Sequence, residues 1–244
     1  MLQPPRRLTI DFRRHQKCPP EFGRYIRTVI WGCKRPRPME SEESAMNVEV
    51  GGIVVHQEHL NAADQADLVE QVRRVVRAAT LFRPETRSGK AMSVRMTSAG
   101  TFGWISDRSG YRYDRKHPDG MEWPPIPPGA LDIWRAVSGV ARDPQSCLIN
   151  YYDTDARMGM HQDRDEGDFD MPVVSVSLGD EALFRVGGAE RGGKTQSIWL
   201  KSGDVAVMGG AARLNFHGID RIRAGSSALL PKGGRINLTM RVVE

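Results

Sequence analysis

The C-terminal part of the chain is a series of short β-rich segments separated by Gly, Asp and Pro, and no other feature limits the possible folds as strongly. The segments are SCLINYY (146–152), MPVVSVSLG (171–179), ALFRVGG (182–188), QSIWLKSGDVAVMGG (196–210) and GGRINLTMRVV (233–243). Runs rich in β-branched and aromatic residues between turn residues are typical of strands. Residues 201–204 (KSGD) are predicted to form a hairpin turn. Because no helical pattern separates these segments, we expect antiparallel sheets that close as a sandwich, barrel or jelly roll.

Helices are predicted only before this region. Residues 61–79 carry apolar side chains at helical spacing, and Asn61 is a suitable N-cap residue. The predicted apolar face consists of Leu68, Val72, Val75, Val76 and Ala79. A second helix is predicted at 129–141, and a short strand followed by a turn at 47–56. We therefore expect an α+β fold with a mainly β core and the helices packed outside.

The composition indicates a soluble protein in a reducing compartment. The mean hydropathy is −0.46 and no apolar run is long enough to cross a membrane. The three cysteines, Cys18, Cys33 and Cys147, form no CxxC pair. From these features we expect a cytoplasmic protein that does not bind membranes, and we expect a monomer without an obligate protein partner.

The net charge of +5 comes from the N-terminal segment. Residues 1–38 hold ten basic residues against Asp11 and Glu21, a surplus of eight, so the remainder carries a net charge of −3. We therefore divide the chain into residues 1–45 and a single domain at 46–244. Three interpretations of 1–45 remain open: a flexible basic arm, an over-long start assignment, or an Arg-rich targeting peptide.

The segment 158–166 (MGMHQDRDE) raises the question of a metal site. His161 and Asp163 are two residues apart, so on a strand both side chains point to one face. Such a pair alone is equally typical of a solvated turn. His217, in RLNFHGI, is a third candidate ligand, although a buried histidine bonded to the backbone is the ordinary alternative. Two histidines and one carboxylate leave coordination positions open for O2 and a chelating cosubstrate on iron(II), and zinc with the same ligands remains an alternative.

The segment 235–242 (RINLTMRV) places polar and apolar side chains on opposite faces of a strand. Its polar face would carry Arg235, Asn237, Thr239 and Arg241. This face either meets water or lines a cavity, where fixed guanidinium groups suit carboxylate binding. A dicarboxylate cosubstrate would account for both arginines.

These motifs together resemble the AlkB family of iron(II)/2-oxoglutarate-dependent nucleic-acid dealkylases, in its bacterial type. The similarity runs from about residue 46 to the C-terminus and includes MSVRMTSAG (92–100), GWISDRSGYRY (103–113), LINYY (148–152), MHQDRDE (160–166), PVVSVSLG (172–179), GGxxRLxxHGI (209–219) and RxNLTxR (235–241). HxD with a distant His is common among dioxygenases, whereas HQDxDE together with RxNLTxR is much more specific.

The resemblance implies a double-stranded β-helix, or jelly roll, with a nucleotide-recognition lid around residues 92–125. It implies Fe(II), 2-oxoglutarate and O2 as cofactors. The implied metal ligands are His161, Asp163 and His217. The implied 2-oxoglutarate residues are Asn150, Tyr151, Tyr152, Arg235, Asn237 and Arg241. The implied substrate residues are Trp104, Tyr111, Arg112, Tyr113, Asp165 and Arg191.

Some residues depart from the family pattern or receive an ordinary interpretation. Met208 stands where bacterial relatives typically carry Trp, and Tyr151 replaces a basic residue between the Asn and the Tyr. Glu166, Asp168 and Asp170 are interpreted as a solvated acidic turn.

The predicted activity is removal of alkyl groups from bases such as 1-methyladenine and 3-methylcytosine in single-stranded or base-flipped nucleic acid, with release of formaldehyde. One alternative is a dioxygenase of the same fold that acts on RNA, protein or a small molecule. Another is a non-catalytic nucleic-acid-binding module, which loss of a metal ligand would indicate; all three ligands are present.

Overall fold

A computed structural model describes residues 46–244, so the predictions for residues 1–45 lie outside the described part of the chain. The helices are α1 (Ala62–Ala78) and α2 (Pro128–Val137). The strands are β1 (Asn47–Val50), β2 (Ile53–His56), β3 (Arg95–Gly100), β4 (Gly103–Asp107), β5 (Gly110–Asp114), β6 (Ser146–Tyr152), β7 (Met158–His161), β8 (Val173–Gly179), β9 (Glu181–Val186), β10 (Gln196–Leu200), β11 (Val205–Met208), β12 (His217–Arg223) and β13 (Arg235–Arg241).

Two antiparallel sheets form the core. One has seven strands in the order β1-β2-β11-β8-β13-β6-β3, and the other has four in the order β10-β9-β12-β7. Strands that follow one another in sequence often enter different sheets, as in a jelly roll. The predicted double-stranded β-helix with a mainly β core is thus confirmed. Strands β4 and β5 form a separate hairpin, whereas β3, at the start of the predicted lid region, pairs with β6 in the larger sheet.

Helix α1 covers the outer face of the seven-stranded sheet. Its predicted N-cap is confirmed, because the Asn61 side chain accepts hydrogen bonds from the backbone N–H groups of Ala63 and Asp64, at 2.9 and 3.0 Å. Its apolar face packs in one core with α2 and with the apolar face of β13. That core includes Leu68, Val72, Val75, Ile133, Trp134, Ile236, Leu238 and Met240. The apolar half of the β13 pattern therefore faces the helices, and its polar half faces the other way.

Helix α2 ends earlier than the sequence pattern predicts. Pro128 occupies its first turn, where a missing N–H costs nothing. The helix ends at Val137 rather than at 141, because Gly139 adopts a left-handed backbone conformation with φ of 72°. Apolar residues after that glycine extended the predicted helix beyond its true end.

The predicted hairpin at 201–204 is wrong. Residues 201–204 do form a turn, in which the Asp204 carboxylate accepts from the Lys201 N–H at 2.8 Å. However, β10 pairs with β9 in the smaller sheet, while β11 pairs with β2 and β8 in the larger one. The turn thus carries the chain from one sheet to the other. The residues of a turn do not show whether it closes a hairpin or joins two sheets, because the pairing partners of the flanking strands are distant in sequence.

A second apolar core fills the space between the two sheets. It includes Met96, Leu148, Phe184, Val186, Leu200, Met208 and Ile219. Part of this space remains open as a cavity, described below. No helix in residues 46–244 is long and apolar enough to cross a membrane.

Candidate metal and cosubstrate site

Two histidines and one aspartate come together at the edge of the smaller sheet. His161 ends β7, His217 begins the adjacent strand β12, and the two residues are paired across the sheet. Asp163 follows β7. One ligand atom from each of the three lies within 4.8 Å of the others. A six-coordinate ion held by this set would keep positions free for other ligands.

The backbone fixes the orientation of both imidazoles. The Nδ1 atoms of His161 and His217 lie 2.9 and 3.0 Å from the carbonyl oxygens of Gly159 and Asn215. An Nδ1–H group that donates to a carbonyl leaves the lone pair on Nε2. Both Nε2 atoms face Asp163, at 3.7 and 3.9 Å from its carboxylate oxygens. The lone pairs therefore converge on one point.

The charge states of the buried ligands also suit a cation. Burial lowers the pKa of His217 to about 4, so its imidazole is neutral at neutral pH. Burial alone would raise the pKa of Asp163, but the Arg241 guanidinium and the two imidazoles hold that pKa well below its usual range. A neutral imidazole and an ionised carboxylate are the forms that bind metal.

The polar face of β13 lines the cavity beside these ligands. Strand register pairs Arg235 with Tyr152 and Asn237 with Asn150 on the neighbouring strand β6. The Asn150 amide donates to Asn237 Oδ1 at 3.3 Å. The side chains on this face are buried, not solvated. Of the two interpretations of 235–242, the cavity-lining one is correct.

The two arginines of β13 differ in their partners. Arg241 donates from Nε and Nη2 to one Asp163 oxygen, at 3.2 and 2.8 Å, and its Nη1 has no hydrogen-bond partner within residues 46–244. Arg235 is 1% exposed and donates from Nη2 to Ser177 Oγ at 2.9 Å. Its Nε and Nη1 have no partner in the described part of the chain. Arg235 is therefore the stronger candidate for a carboxylate of the cosubstrate, and Arg241 already holds Asp163.

These features fit iron and 2-oxoglutarate. Buried donors without partners are rare, because an unpaired donor loses its hydrogen bonds to water without replacement. A dicarboxylate that reaches Arg235 and the ligand cluster would satisfy such donors.

The cavity has a volume of about 330 Å³ and lies between the two sheets and the β4–β5 hairpin. The metal-ligand candidates and the polar face of β13 form one part of its wall. Its apolar lining includes Met96, Leu148, Met158, Phe184, Leu200 and Met208. Met208, where the family pattern has Trp, is thus a buried wall residue. These apolar side chains form the wall beside the ligand cluster, where the His161 side chain remains 40% exposed.

Aromatic residues of the hairpin stand at the cavity. The Trp104 and Tyr111 rings are stacked, with centroids 5.5 Å apart and an interplanar angle of 20°. The Trp104 indole N–H donates to Asp165 Oδ2 at 3.0 Å. Trp104, Tyr111, Tyr113 and Asp165 all line the cavity. The structure therefore brings four of the six predicted substrate residues to one place.

Three predicted site residues lie elsewhere. Arg112 points to the other side of its strand and pairs with Asp107 at 2.8 Å. Arg191 is exposed, with its guanidinium 5.0 Å from the centre of the Phe216 ring. Tyr151 packs against Arg95 on the face of β6 opposite its neighbours Asn150 and Tyr152. Strand alternation explains Arg112 and Tyr151.

Glu166 is buried, and its interpretation as part of a solvated turn is wrong. Its side chain is 2% exposed and accepts from Arg213 Nη2 at 3.0 Å. It also lies 3.3 Å from Arg241 Nε and accepts from the Tyr113 hydroxyl. Arg213 further donates to the Asp163 carbonyl oxygen at 2.6 Å. Sequence reasoning assigned no role to Arg213, although it stands four residues before His217 in the same motif.

Comparison with known proteins agrees with this geometry. Residues 52–241 match the 2OG-Fe(II) oxygenase superfamily. The chain is 51% identical over 183 residues to an alpha-ketoglutarate-dependent dioxygenase AlkB homolog of Caulobacter vibrioides, covering 75% of this chain and 83% of the relative. It is 36% identical over 196 residues to the alpha-ketoglutarate-dependent dioxygenase AlkB of Escherichia coli K12, covering 78% and 89%.

A solved structure gives the same result at the level of the fold. The structure of OsALKBH1 superposes with a TM-score of 0.65 at 30% identity, covering 80% of this chain and 98% of the other. Together these findings show a dioxygenase that uses Fe(II), 2-oxoglutarate and O2. The chain belongs to the AlkB family of alpha-ketoglutarate-dependent dioxygenases.

Proposed function

We propose that this dioxygenase removes alkyl groups oxidatively from nitrogen atoms of nucleic-acid bases, with 1-methyladenine and 3-methylcytosine as substrates. The observation that carries the proposal is that the ligand cluster and the stacked Trp104–Tyr111 pair share one cavity. Aromatic faces stack on bases of any sequence. A base stacked on this pair would lie next to the metal ligands, which supports the proposal.

Each group of residues has a separate task. His161, Asp163 and His217 would hold Fe(II), which with 2-oxoglutarate and O2 supplies the hydroxylating chemistry. Arg235 would bind a carboxylate of 2-oxoglutarate, and Asn150, Tyr152 and Asn237 would complete its site. Arg241 orients the Asp163 carboxylate through two hydrogen bonds.

The position of the ligand cluster supports an unstacked base as the substrate. A base inside a duplex cannot reach a ligand cluster that lies between two sheets, so the substrate is single-stranded or is flipped out of the stack. Trp104 and Tyr111 supply the stacking surface that replaces the neighbouring bases. Two exposed arginines of the hairpin, Arg108 and Arg112, can contact the phosphates.

The reaction balances without further reactants. One oxygen atom of O2 enters the N–CH3 group to give N–CH2OH, and the other converts 2-oxoglutarate to succinate with loss of CO2. The hydroxyl of the N–CH2OH group then gives up its proton to solvent, the C–N bond breaks with release of formaldehyde, and the electron pair of that bond returns to the ring nitrogen. The unmodified base and formaldehyde are the products.

The proposal is tested by a formaldehyde-release assay. Single-stranded DNA and RNA oligonucleotides that carry one 1-methyladenine or 3-methylcytosine are incubated with the enzyme, Fe(II), ascorbate and 2-oxoglutarate. We expect formaldehyde in a one-to-one ratio to restored base. If the enzyme consumes 2-oxoglutarate but releases formaldehyde from neither oligonucleotide, the substrate assignment is wrong.

Asp165 is predicted to favour cationic lesions. Both lesions carry a positive charge, and the Asp165 carboxylate stands at the cavity beside Trp104. An Asp165→Asn enzyme keeps an oxygen that can accept from the Trp104 indole but loses the charge. We expect kcat/KM for 1-methyladenine, relative to a neutral N-alkylated base, to fall about tenfold, because the Asp165 carboxylate, which is exposed in the absence of substrate, would lie beside the bound cation.

Asp168→Asn is the matched control for this change. Asp168 lies in the same acidic segment, but its carboxylate accepts from the Asp170 N–H instead of facing the cavity. The control should keep the preference for cationic lesions. An unchanged preference in the Asp165→Asn enzyme would remove Asp165 from substrate selection.

A further inference from the structure

A buried cluster of charges connects the β4–β5 hairpin to the metal ligands. Glu166 lies at its centre and contacts Arg213, Arg241 and Tyr113. Arg241 in turn holds Asp163. The cluster thus forms a continuous path from the hairpin to a metal-ligand candidate, with Glu166 as the shared member.

Burial holds the charged side chains of this cluster in fixed positions. The side chains of Glu166, Arg213 and Arg241 are 2%, 3% and 6% exposed. A buried charge that loses its partner is left unsolvated, so each member holds the others in one arrangement. Arg213 also donates to the backbone carbonyls of Asp163 and Met171. The cluster therefore fixes the segment between these two residues, which includes Glu166 itself.

The hairpin reaches the cluster through one hydroxyl. Within residues 46–244, strands β4 and β5 pair only with each other and belong to neither large sheet. Tyr113 donates from β5 to Glu166 Oε1. Burial raises the pKa of Tyr113 well above its usual value, so the hydroxyl remains a donor over the working pH range. On the same strand face, Tyr111 stacks on Trp104 at the cavity.

We infer that Glu166 is a positioning residue that couples the hairpin to the cosubstrate site. A nucleic acid that holds the hairpin in place keeps the Tyr113 hydroxyl on Glu166. Glu166 then keeps Arg241 oriented, and Arg241 fixes Asp163. Arg241 also lines the cavity, and its Nη1 has no hydrogen-bond partner within residues 46–244. The inference rests on the proposed function, because it assumes that the hairpin binds nucleic acid and that the cavity binds 2-oxoglutarate.

Linkage gives the inference a measurable form. If nucleic acid tightens 2-oxoglutarate binding by some factor, 2-oxoglutarate must tighten nucleic-acid binding by the same factor. This ratio of dissociation constants is the coupling factor. It concerns binding alone and can be measured without turnover.

The experiment is calorimetric titration of the full chain loaded with Mn(II) in place of iron. The dissociation constant of 2-oxoglutarate is measured with and without a saturating single-stranded oligonucleotide that carries 1-methyladenine. We expect a coupling factor of about ten in the unaltered enzyme, the size of one hydrogen bond to a charged group. Tyr113→Phe should bring it close to one. Glu166→Gln should do the same, and the double variant should add nothing further.

Tyr111→Phe is the matched control. It removes a hydroxyl from the same strand, two residues away, while the Trp104-facing ring remains. Its affinity for the oligonucleotide can change, but its coupling factor should stay near that of the unaltered enzyme. Tyr113→Phe keeps the buried aromatic ring, and its melting temperature checks that this variant is folded. If Glu166→Gln fails to fold, Tyr113→Phe alone still tests the inference.

The possible failures are distinguishable. Absent 2-oxoglutarate or oligonucleotide binding by the unaltered enzyme would contradict the proposed function. The coupling would be overturned if the unaltered enzyme bound both ligands with a coupling factor of one, or if Tyr113→Phe kept the coupling factor of the unaltered enzyme. Either result would leave the proposed function in place.

Discussion

Replacement of His217 by alanine is expected to abolish turnover of 2-oxoglutarate. The His217 Nε2 faces Asp163 because its Nδ1 is held by the Asn215 carbonyl, and no other histidine within residues 46–244 stands close enough to take its place. Two remaining ligands bind a divalent ion weakly, and a bound metal supplies several kcal/mol of catalysis. We expect a fall in rate of about a thousandfold or more.

Metal content and 2-oxoglutarate consumption check this result together. The purified variant should also lose Fe(II) binding, measured by equilibrium dialysis without oxygen. His59→Gln is the control, because the His59 ring packs at a tilted angle 5.9 Å from the His56 ring and does not line the cavity that holds the ligand cluster. It should retain both metal and turnover. A His217→Ala protein that binds iron as tightly as the unaltered protein would exclude His217 as a ligand.

Replacement of Arg235 by methionine is expected to raise the KM for 2-oxoglutarate by about two orders of magnitude or more. Two nitrogens of this buried guanidinium have no partner in the described part of the chain, so a carboxylate of the cosubstrate would receive charge-assisted, bidentate hydrogen bonds. Bonds to charged groups contribute about 1.5–3 kcal/mol each. Steady-state kinetics at varied 2-oxoglutarate gives the value.

The same substitution should not destabilise the apoprotein. Without cosubstrate, Arg235 is a buried cation, two of whose nitrogens have no partner within residues 46–244, and burial lowers its pKa. Arg235→Met is therefore expected not to lower the free energy of unfolding of the apoprotein, measured in urea. A residue whose loss harms binding but not folding serves function. Arg223→Met, at an exposed arginine that pairs with Glu181, is the control and should leave the KM unchanged.

Local patterns in the sequence predicted much of this molecule. The alternation in 235–242 predicted which side chains of β13 share a face, because strand geometry depends on the chain itself. Asn61 predicted the start of α1 for the same reason. The prediction that His161, Asp163 and His217 form one metal site also came from sequence motifs, and the structure places their ligand atoms together.

The errors concern features that depend on distant parts of the chain. Glu166 follows four other charged or amide residues and looks solvated in the sequence, but Arg213 and Arg241 reach it from remote segments. The turn at 201–204 has ordinary hairpin composition, and only the partners of β10 and β11 show that it joins two sheets. The pairing partners of the two flanking strands, and not the residues of the turn, determine whether a turn closes a hairpin or joins two sheets.

The placement of the site across two sheets has a consequence for the choice of cosubstrate. Arg235 stands on the seven-stranded sheet, whereas His161 and His217 stand on the four-stranded one. On the assignment proposed above, one molecule must span from the guanidinium on one sheet to the metal on the other, so the gap between the sheets sets its length. Side chains in the core between the sheets, such as Phe184 and Leu148, maintain that gap. Selectivity between longer and shorter dicarboxylates is thus a property of core packing as well as of the residues that touch the acid.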